Sequence, residues 1–172
     1  MKTAAAEQMI PSGPAGRHIY EEWDCRSMAK MIGSAWKETS GMAMRLIETI
    51  PLENGLEVEV RDNSRAIAAD TTKLELLFRV TVPLSPADWS CPAQYEIVRK
   101  VFGDRPRFEY CATRSFVRSA SVEAVSRGLR DAFRRDTLAY LSRPDFPRRF
   151  ALSKYREIEA NPYRYREFLK EN

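Results

Sequence analysis

Apolar and polar residues alternate most regularly in the middle of the chain, and this alternation predicts β-strands. Between residues 73 and 82 every second position is apolar, namely Leu74, Leu76, Phe78, Val80 and Val82. Such a period of two is typical of a strand that buries one face, because successive side chains point to opposite sides of the sheet. The same pattern predicts a hairpin over residues 44–61 and a further strand over residues 107–117.

The turn of the hairpin can be predicted from its register. A three-residue loop, Glu53–Gly55, sets Leu52 opposite Leu56 and Ile50 opposite Val58, so that these four apolar residues face the core together. A two-residue loop would place acidic residues opposite the apolar ones. Glycine suits the last loop position, because it adopts a positive φ without steric cost.

Two of the predicted strands contain an interruption of the pattern. In the first strand of the hairpin, Leu46, Ile50 and Leu52 share one parity and Glu48 interrupts them. In the 107–117 strand, Phe108, Tyr110, Ala112 and Phe116 share one parity and Arg114 interrupts them. If each strand alternates without a break, Leu46 and Phe116 are predicted to lie on the apolar face.

Helical spacing of apolar residues predicts the remaining elements. An N-terminal helix over residues 19–38 contains Trp23 and Trp36, and the clearest helix runs from Val122 to Ser142. A helix over 149–159 and a short C-terminal helix follow, separated by Asn161-Pro162. Residues 61–65 indicate a turn, 66–68 a short edge strand and 83–92 a loop with Trp89 against the sheet, whereas 96–102 fits either a helix or a strand.

The grouped strands favour an α+β fold over a doubly wound parallel sheet. We expect a mostly antiparallel sheet of about four strands, made of the hairpin 44–61 and the strands 73–82 and 107–117. An N-terminal helix and C-terminal helices would pack on it. Residues 1–17 are predicted to form a flexible tail and residues 18–172 a single α+β domain, a size that can bury its own core.

Composition and cysteine usage indicate a cytoplasmic protein. No apolar run approaches the ~20 residues of a membrane span, and the N-terminus lacks a signal-peptide pattern. The three cysteines, Cys25, Cys91 and Cys111, are widely spaced, which is typical of reduced thiols. With His18 as the single histidine and no recognisable catalytic motif, we expect no cofactor, no transition-metal site and no nucleophilic centre.

Charge is distributed unevenly along the chain. The net charge is −4 over residues 1–96 and +8 over residues 97–172, where most of the positive charge is arginine. A basic half is typical of a polyanion-binding surface. The candidate polyanion-binding residues are Arg127, Arg130, Arg134, Arg135, Arg148 and Arg149. The alternative interpretation is a solvated arginine face partly paired with Asp131, Asp136, Asp145 and Glu157.

These observations predict a non-catalytic cytoplasmic binding or interaction domain, either a homodimer or one that docks on an acidic protein. The first alternative is nucleic-acid binding through the C-terminal arginines, since the chain also interleaves tyrosine and arginine at residues 155–156 and 163–166. The second alternative is a small enzyme that uses carboxylates. The sequence favours a functional surface on the 127–149 segment or in the 61–72 loop.

Overall fold

A computed structural model describes residues 44–169 and shows the predicted α+β fold, with an open antiparallel sheet of five strands and four helices. The strands are β1 (Arg45–Pro51), β2 (Glu57–Asp62), β3 (Arg65–Ala68), β4 (Thr71–Thr81) and β5 (Arg107–Arg118). The helices are α1 (Pro92–Phe102), α2 (Val122–Phe133), α3 (Phe146–Ala160) and α4 (Pro162–Leu169). The predicted tail 1–17 and N-terminal helix 19–38 lie outside the described residues.

β4 is the central strand of the sheet. It pairs with β5 along one edge and with β2 and then β3 along the other, so that Thr72 lies opposite both Ala66 and Val117. β1 pairs with the edge of β2 that faces away from β4. The predicted edge strand at 66–68 is therefore confirmed as β3, and the ambiguous segment 96–102 is helical within α1.

The hairpin turn has the predicted three-residue loop. Ile50 lies opposite Val58, and the Leu52 amide donates to the Leu56 carbonyl at 2.8 Å. Gly55 has φ = +80°, the left-handed conformation that the register argument requires. The predicted core membership of the hairpin is also confirmed, since Leu52 and Val58 are buried and Ile50 and Leu56 pack against the core.

We expect Gly55→Val to lower the free energy of unfolding by about 1–2 kcal/mol, because an added Cβ disfavours the left-handed conformation. No atom lies within 4 Å of that Cβ position, so the effect would come from the backbone alone. Gly128→Ala is the matched control: Gly128 is an open position within α2, and alanine should add about 0.5–1 kcal/mol there. Urea denaturation measures both, and a neutral Gly55→Val would contradict the turn.

β-Bulges overturn two of the predicted orientations. A register shift between Leu46 and Glu48 turns Leu46 away from the core, and Ile47 packs there instead. On β5, Arg114 pairs with Leu74 and Val117 with Thr72, so Ser115 and Phe116 together face the single residue Lys73. Phe116 is therefore 80% exposed, and Val117 is the buried residue.

The main core lies between one face of the sheet and α2. The predicted strand residues Leu74, Leu76, Phe78, Val80 and Val82 are all buried in it. The Phe78 ring stacks on the ring of Phe133 from α2, with 3.9 Å between centroids. This contact holds the helix across the centre of the sheet.

A second hydrophobic cluster lies among the other helices. Its buried members are Trp89, Val98, Ala151, Ile158 and Tyr165. The prediction that Trp89 packs on the sheet is therefore wrong: its ring has edge contacts with Tyr95 and Tyr155. α3 connects the two clusters, because Phe150 belongs to the first and Ala151 to the second.

The helix that begins at Val122 extends to Leu141, close to its predicted length, but it is not regular. It contains a π-helical turn, Arg134–Leu138, before a last α-helical turn, Ala139–Leu141. Asn54 of the hairpin turn closes its end, since Nδ2 donates to the carbonyls of Leu141 at 2.7 Å and Arg143 at 2.9 Å. A side chain on the sheet thus satisfies carbonyls that the helix end leaves unpaired.

Candidate functional site

The structure places most of the predicted arginines in ion pairs. Arg134 contacts Glu48 of β1 at 2.6 Å and Asp131 at 3.3 Å. Arg130, only 17% exposed, lies 3.8 Å from Glu48 and 3.3 Å from Glu123. Glu48, the residue that interrupts the apolar pattern of β1, is thus the counter-charge that docks α2 on the sheet.

The other predicted arginines do not extend this pair into a basic surface. Arg127 lies 3.9 Å from Glu123, Arg135 pairs with Asp136 at 2.9 Å, and Arg149 pairs with Asp145 at 2.5 Å. Arg148 is exposed at the start of α3 and has no ion pair among residues 44–169. Asp131, Asp136 and Asp145 are thus paired with candidate arginines, whereas Glu157 pairs with Lys154.

The tyrosine–arginine segments are mainly structural. Tyr165 is buried and donates to Glu157 at 2.5 Å, and Tyr155 packs on Trp89. Tyr163 is exposed. Burial raises the pKa of Tyr165, and the hydrogen bond to Glu157 raises it further, to about 12.

The pKa shifts of Glu157 and Cys111 follow from burial and from local hydrogen bonds. Burial alone would raise the pKa of Glu157, but hydrogen bonds from Tyr165 and Lys154 outweigh it and lower that pKa. A general acid needs the opposite shift. Burial raises the pKa of the Cys111 thiol, which keeps it protonated and poorly nucleophilic. Within residues 44–169, no cluster of three or more His, Cys, Asp or Glu could hold a metal ion.

The 61–72 loop is strand-paired rather than open. The backbone N–H of Asn63 donates to the Glu75 carbonyl at 2.9 Å. The Ser64 hydroxyl accepts from the backbone N–H of Glu75 at 3.0 Å. As predicted, Asp62 bonds the nearby backbone, accepting from the Ser64 amide at 2.9 Å. These bonds hold the connection between β2 and β3 against Glu75 of β4.

The outer edge of β5 presents unpaired backbone groups in the described part of the chain. Val82 donates to the Pro106 carbonyl at 3.0 Å, and hydrogen-bonded pairs recur at every second position of an antiparallel ladder. The peptide groups of Phe108, Tyr110 and Ala112 therefore point toward β4. The peptide groups of the residues that alternate with them point away from β4, namely those of Arg107, Glu109, Cys111 and Thr113. Among residues 44–169, β5 pairs with β4 alone.

A groove of about 210 Å³ lies between the β5 edge and the helix formed by α2 and the π-turn. Its β5 wall includes Tyr110 and Ala112, and its helical wall includes Leu129, Ala132 and Phe133. Asp136 and Thr137 of the π-turn line one end, and Arg114 lines the β5 side. π-Turns are frequent at functional sites, and here the turn borders the groove directly.

The charges on β5 are mostly positive. Arg107 and Arg118 are exposed and have no ion pair within residues 44–169, and Arg114 bonds only the neighbouring Thr113 carbonyl, at 3.1 Å. Glu109, the acidic residue of this strand, is engaged by Arg79 of β4 at 2.8 Å. A ligand along β5 would meet unneutralised guanidinium groups.

The other edge of the sheet differs from β5. β1 has seven residues, contains the bulge near Ile47 and ends at Pro51. The hydrogen bond from Leu52 to Leu56 fixes the ladder, so the nitrogens of Thr49 and Pro51 point outward. A bulge and an outward proline are common means of blocking further strand pairing. Between Arg107 and Thr113, β5 has neither.

Sequence reasoning predicted the β5 strand but not the unpaired outer edge that it presents beside a groove. The available signals were its length, the absence of proline between Arg107 and Arg118, and the break in alternation at Arg114–Phe116. Among the described residues, no helix is both long and apolar enough to cross a membrane. The chain matches no protein-family model, no curated protein and no solved structure.

Proposed function

We propose that this chain is a non-catalytic cytoplasmic interaction domain that binds an extended, acidic polypeptide by adding it as a strand to β5. The outward peptide groups of Arg107, Glu109, Cys111 and Thr113 carry the proposal, because they form a regular row of donors and acceptors beside a groove. An extended chain satisfies such a row with its own backbone, and pockets beside the edge select alternate side chains.

The groove supports this mode of binding. Side chains on one face of an added strand would lie over Tyr110 and Ala112 and against Leu129 and Ala132 of α2. Tyr110 is more than one-third exposed although it contacts Phe133, so an apolar side chain could cover its ring. A small or aromatic residue at every second position of the ligand would suit this surface.

The charge of the edge favours an acidic partner over a second copy of this chain. Arg107, Arg114 and Arg118 would be brought close to the same residues of a symmetry mate, whereas Asp and Glu side chains on a partner would neutralise them. The exposed free thiol of Cys91 and the half-buried free thiol of Cys111 support a reducing, cytoplasmic compartment.

Selection from a displayed library of random peptides of about 12 residues tests the proposal, since that length matches the strand lengths available for pairing. We expect enriched peptides to be acidic and free of proline. Cys111→Pro removes one outward N–H without cutting the β4 ladder, and affinity should fall at least about tenfold because the peptide loses a backbone hydrogen bond and its approach is blocked.

Two variants serve as matched controls. Cys111→Ala removes the thiol but keeps the N–H, and Thr49→Pro removes an outward N–H from the opposite edge. Both should bind enriched peptides as the unmodified chain does. Circular dichroism of all three variants establishes that they fold.

Hydrogen exchange locates the binding. Bound peptide should slow exchange at the amides of Glu109, Cys111 and Thr113, while those of Tyr110 and Ala112 are already protected by β4. Peptides that bind Cys111→Pro normally, or that protect another surface, would contradict the proposal. So would a dimer, seen by light scattering, that Cys111→Pro dissociates, because the occupant would then be a second copy.

A further inference from the structure

The far end of the sheet, beyond the groove, exposes an aromatic ring on a strained backbone. Phe116 has φ = +58°, and among the described residues no other non-glycine residue has a positive φ. A bulky side chain pays a steric penalty there, and its ring gains little from burial because it is 80% exposed. Conformations of this kind cluster at binding sites, where the ring is held for a ligand.

Two arginines lie on the sheet face that Phe116 shares with Lys73, and we call the set of Phe116, Arg65 and Arg118 the Phe116 patch. Arg65 of β3 lies opposite Lys73, and Arg118 lies opposite Thr71, whereas Arg114 lies opposite the buried Leu74 and belongs to the other face. β3 and β5 are the two neighbours of β4, so their backbones are about 10 Å apart at this level. Both guanidinium groups of the patch can therefore reach a ligand seated on the ring.

The patch has a surplus of positive charge. Arg65 and Arg118 are exposed and have no ion pair among residues 44–169. Lys73, which lies between them, is already paired with the buried Glu75 at 2.8 Å. Asp70 is the nearby carboxylate, and it accepts from the Thr71 hydroxyl at 2.9 Å.

We infer that the Phe116 patch binds single-stranded nucleic acid, with one base stacked on Phe116 and the flanking phosphates on Arg65 and Arg118. An exposed aromatic ring among basic residues is the usual platform for unpaired bases, which stack on it whatever their sequence. The guanidinium fork bonds phosphate oxygens bidentately. A duplex keeps its bases stacked on each other and would leave the ring unused.

This inference does not depend on the β5 groove, because Phe116, Arg65 and Arg118 do not line it. The informative variants are therefore at these three residues. The probes are fluorescein-labelled oligothymidylate and oligouridylate of about 12 nucleotides, a length that covers one such site. Fluorescence anisotropy gives the affinity, and a series between about 50 and 200 mM salt gives its dependence on ionic strength.

We expect the logarithm of the affinity to fall with the logarithm of the salt concentration with a slope of about −1.4, for two phosphates at about 0.7 each. Phe116→Gly should weaken binding at least about fivefold and leave the slope unchanged, because the ring carries no charge. Glycine also adopts a positive φ without steric cost, so the variant should fold. Phe116→Trp should retain binding.

Arg65→Ala and Arg118→Ala should each weaken binding and flatten the slope by about 0.7, because each removes one phosphate contact. Arg127→Ala is the matched control, since Arg127 is exposed but lies in the ion-paired set on α2. It should leave both affinity and slope unchanged.

Three results would overturn the inference. The first is an affinity that Phe116→Gly does not change. The second is an equal loss in Arg127→Ala, which would indicate non-specific attraction. The third is binding to phosphatidylserine vesicles that Phe116→Gly abolishes while neither oligonucleotide binds, because the patch would then contact a membrane surface.

Discussion

Glu157→Leu is expected to lower the free energy of unfolding by about 3–5 kcal/mol, because it leaves a buried ammonium group without its carboxylate. Lys154 is only 8% exposed and donates to Glu157 at 2.9 Å. Its ammonium lies over the rings of Phe102, at 4.9 Å, and Phe150, at 5.5 Å. These rings attract the cation but cannot replace its counter-ion.

Lys154→Met should affect stability much less, because methionine fills the space between the two rings and Glu157 keeps its bond from Tyr165. The double variant Lys154→Met/Glu157→Leu should recover most of the loss, since replacing a whole buried pair is often neutral. Urea denaturation of the four proteins gives the double-mutant cycle. Additive losses would show that the two side chains stabilise the fold independently.

The same network predicts the response of stability to pH. The pKa of Tyr165 is raised above its ordinary value near 10, so its contribution is complete below pH 10 and is lost as the pH rises toward 12. The pKa of Glu157 is lowered, so its contribution is complete above about pH 4.5 and is lost as the pH falls further. Tyr165→Phe should flatten the alkaline loss in thermal unfolding.

Phe133→Ala and Phe116→Gly should have opposite effects on stability. Phe133 is 2% exposed and stacks on Phe78, so truncation should cost about 3–5 kcal/mol. Phe116 contributes little buried area and occupies a left-handed conformation, so glycine there should add up to about 1 kcal/mol.

Thermal and urea denaturation measure both changes. Phe108→Ala, at another buried ring of the same core, is the control for Phe133 and should also be strongly destabilising. If Phe116→Gly were as destabilising as Phe133→Ala, the Phe116 ring would have to be packed in the native state, and the β-bulge on β5 would be wrong.

The sequence predicted the fold wherever one parity or one helical stripe held without interruption. The register of Leu52 with Leu56 followed from facing apolar residues alone, and the long helix from Val122 followed from its apolar stripe. The pattern failed at the bulges, where one inserted residue exchanges the two faces of a strand. Leu46 and Phe116 were placed on the wrong face for this reason.

The candidate site was harder to predict, because ion pairs and free edges depend on tertiary contacts. Glu48 precedes Arg134 by 86 residues, and nothing local indicates that the two side chains meet. The outward peptide groups of β5 have no compositional signal, since every residue has them. The arginines of the basic segment 127–149 are therefore mostly ion-paired, whereas Arg65, Arg107, Arg114 and Arg118 on the strands are not paired within residues 44–169.

The π-turn lets the segment Arg134–Leu138 hold one residue more than regular winding would, because a π-helical turn contains more residues than the 3.6 of an α-helical turn. Deleting one exposed residue there would restore regular winding and leave both flanking turns in phase. Leu141 would stay in the core, with its carbonyl beside Asn54. A deletion within α2 would instead rotate every following turn by about 100°, so the tolerance for a lost residue is confined to the π-turn.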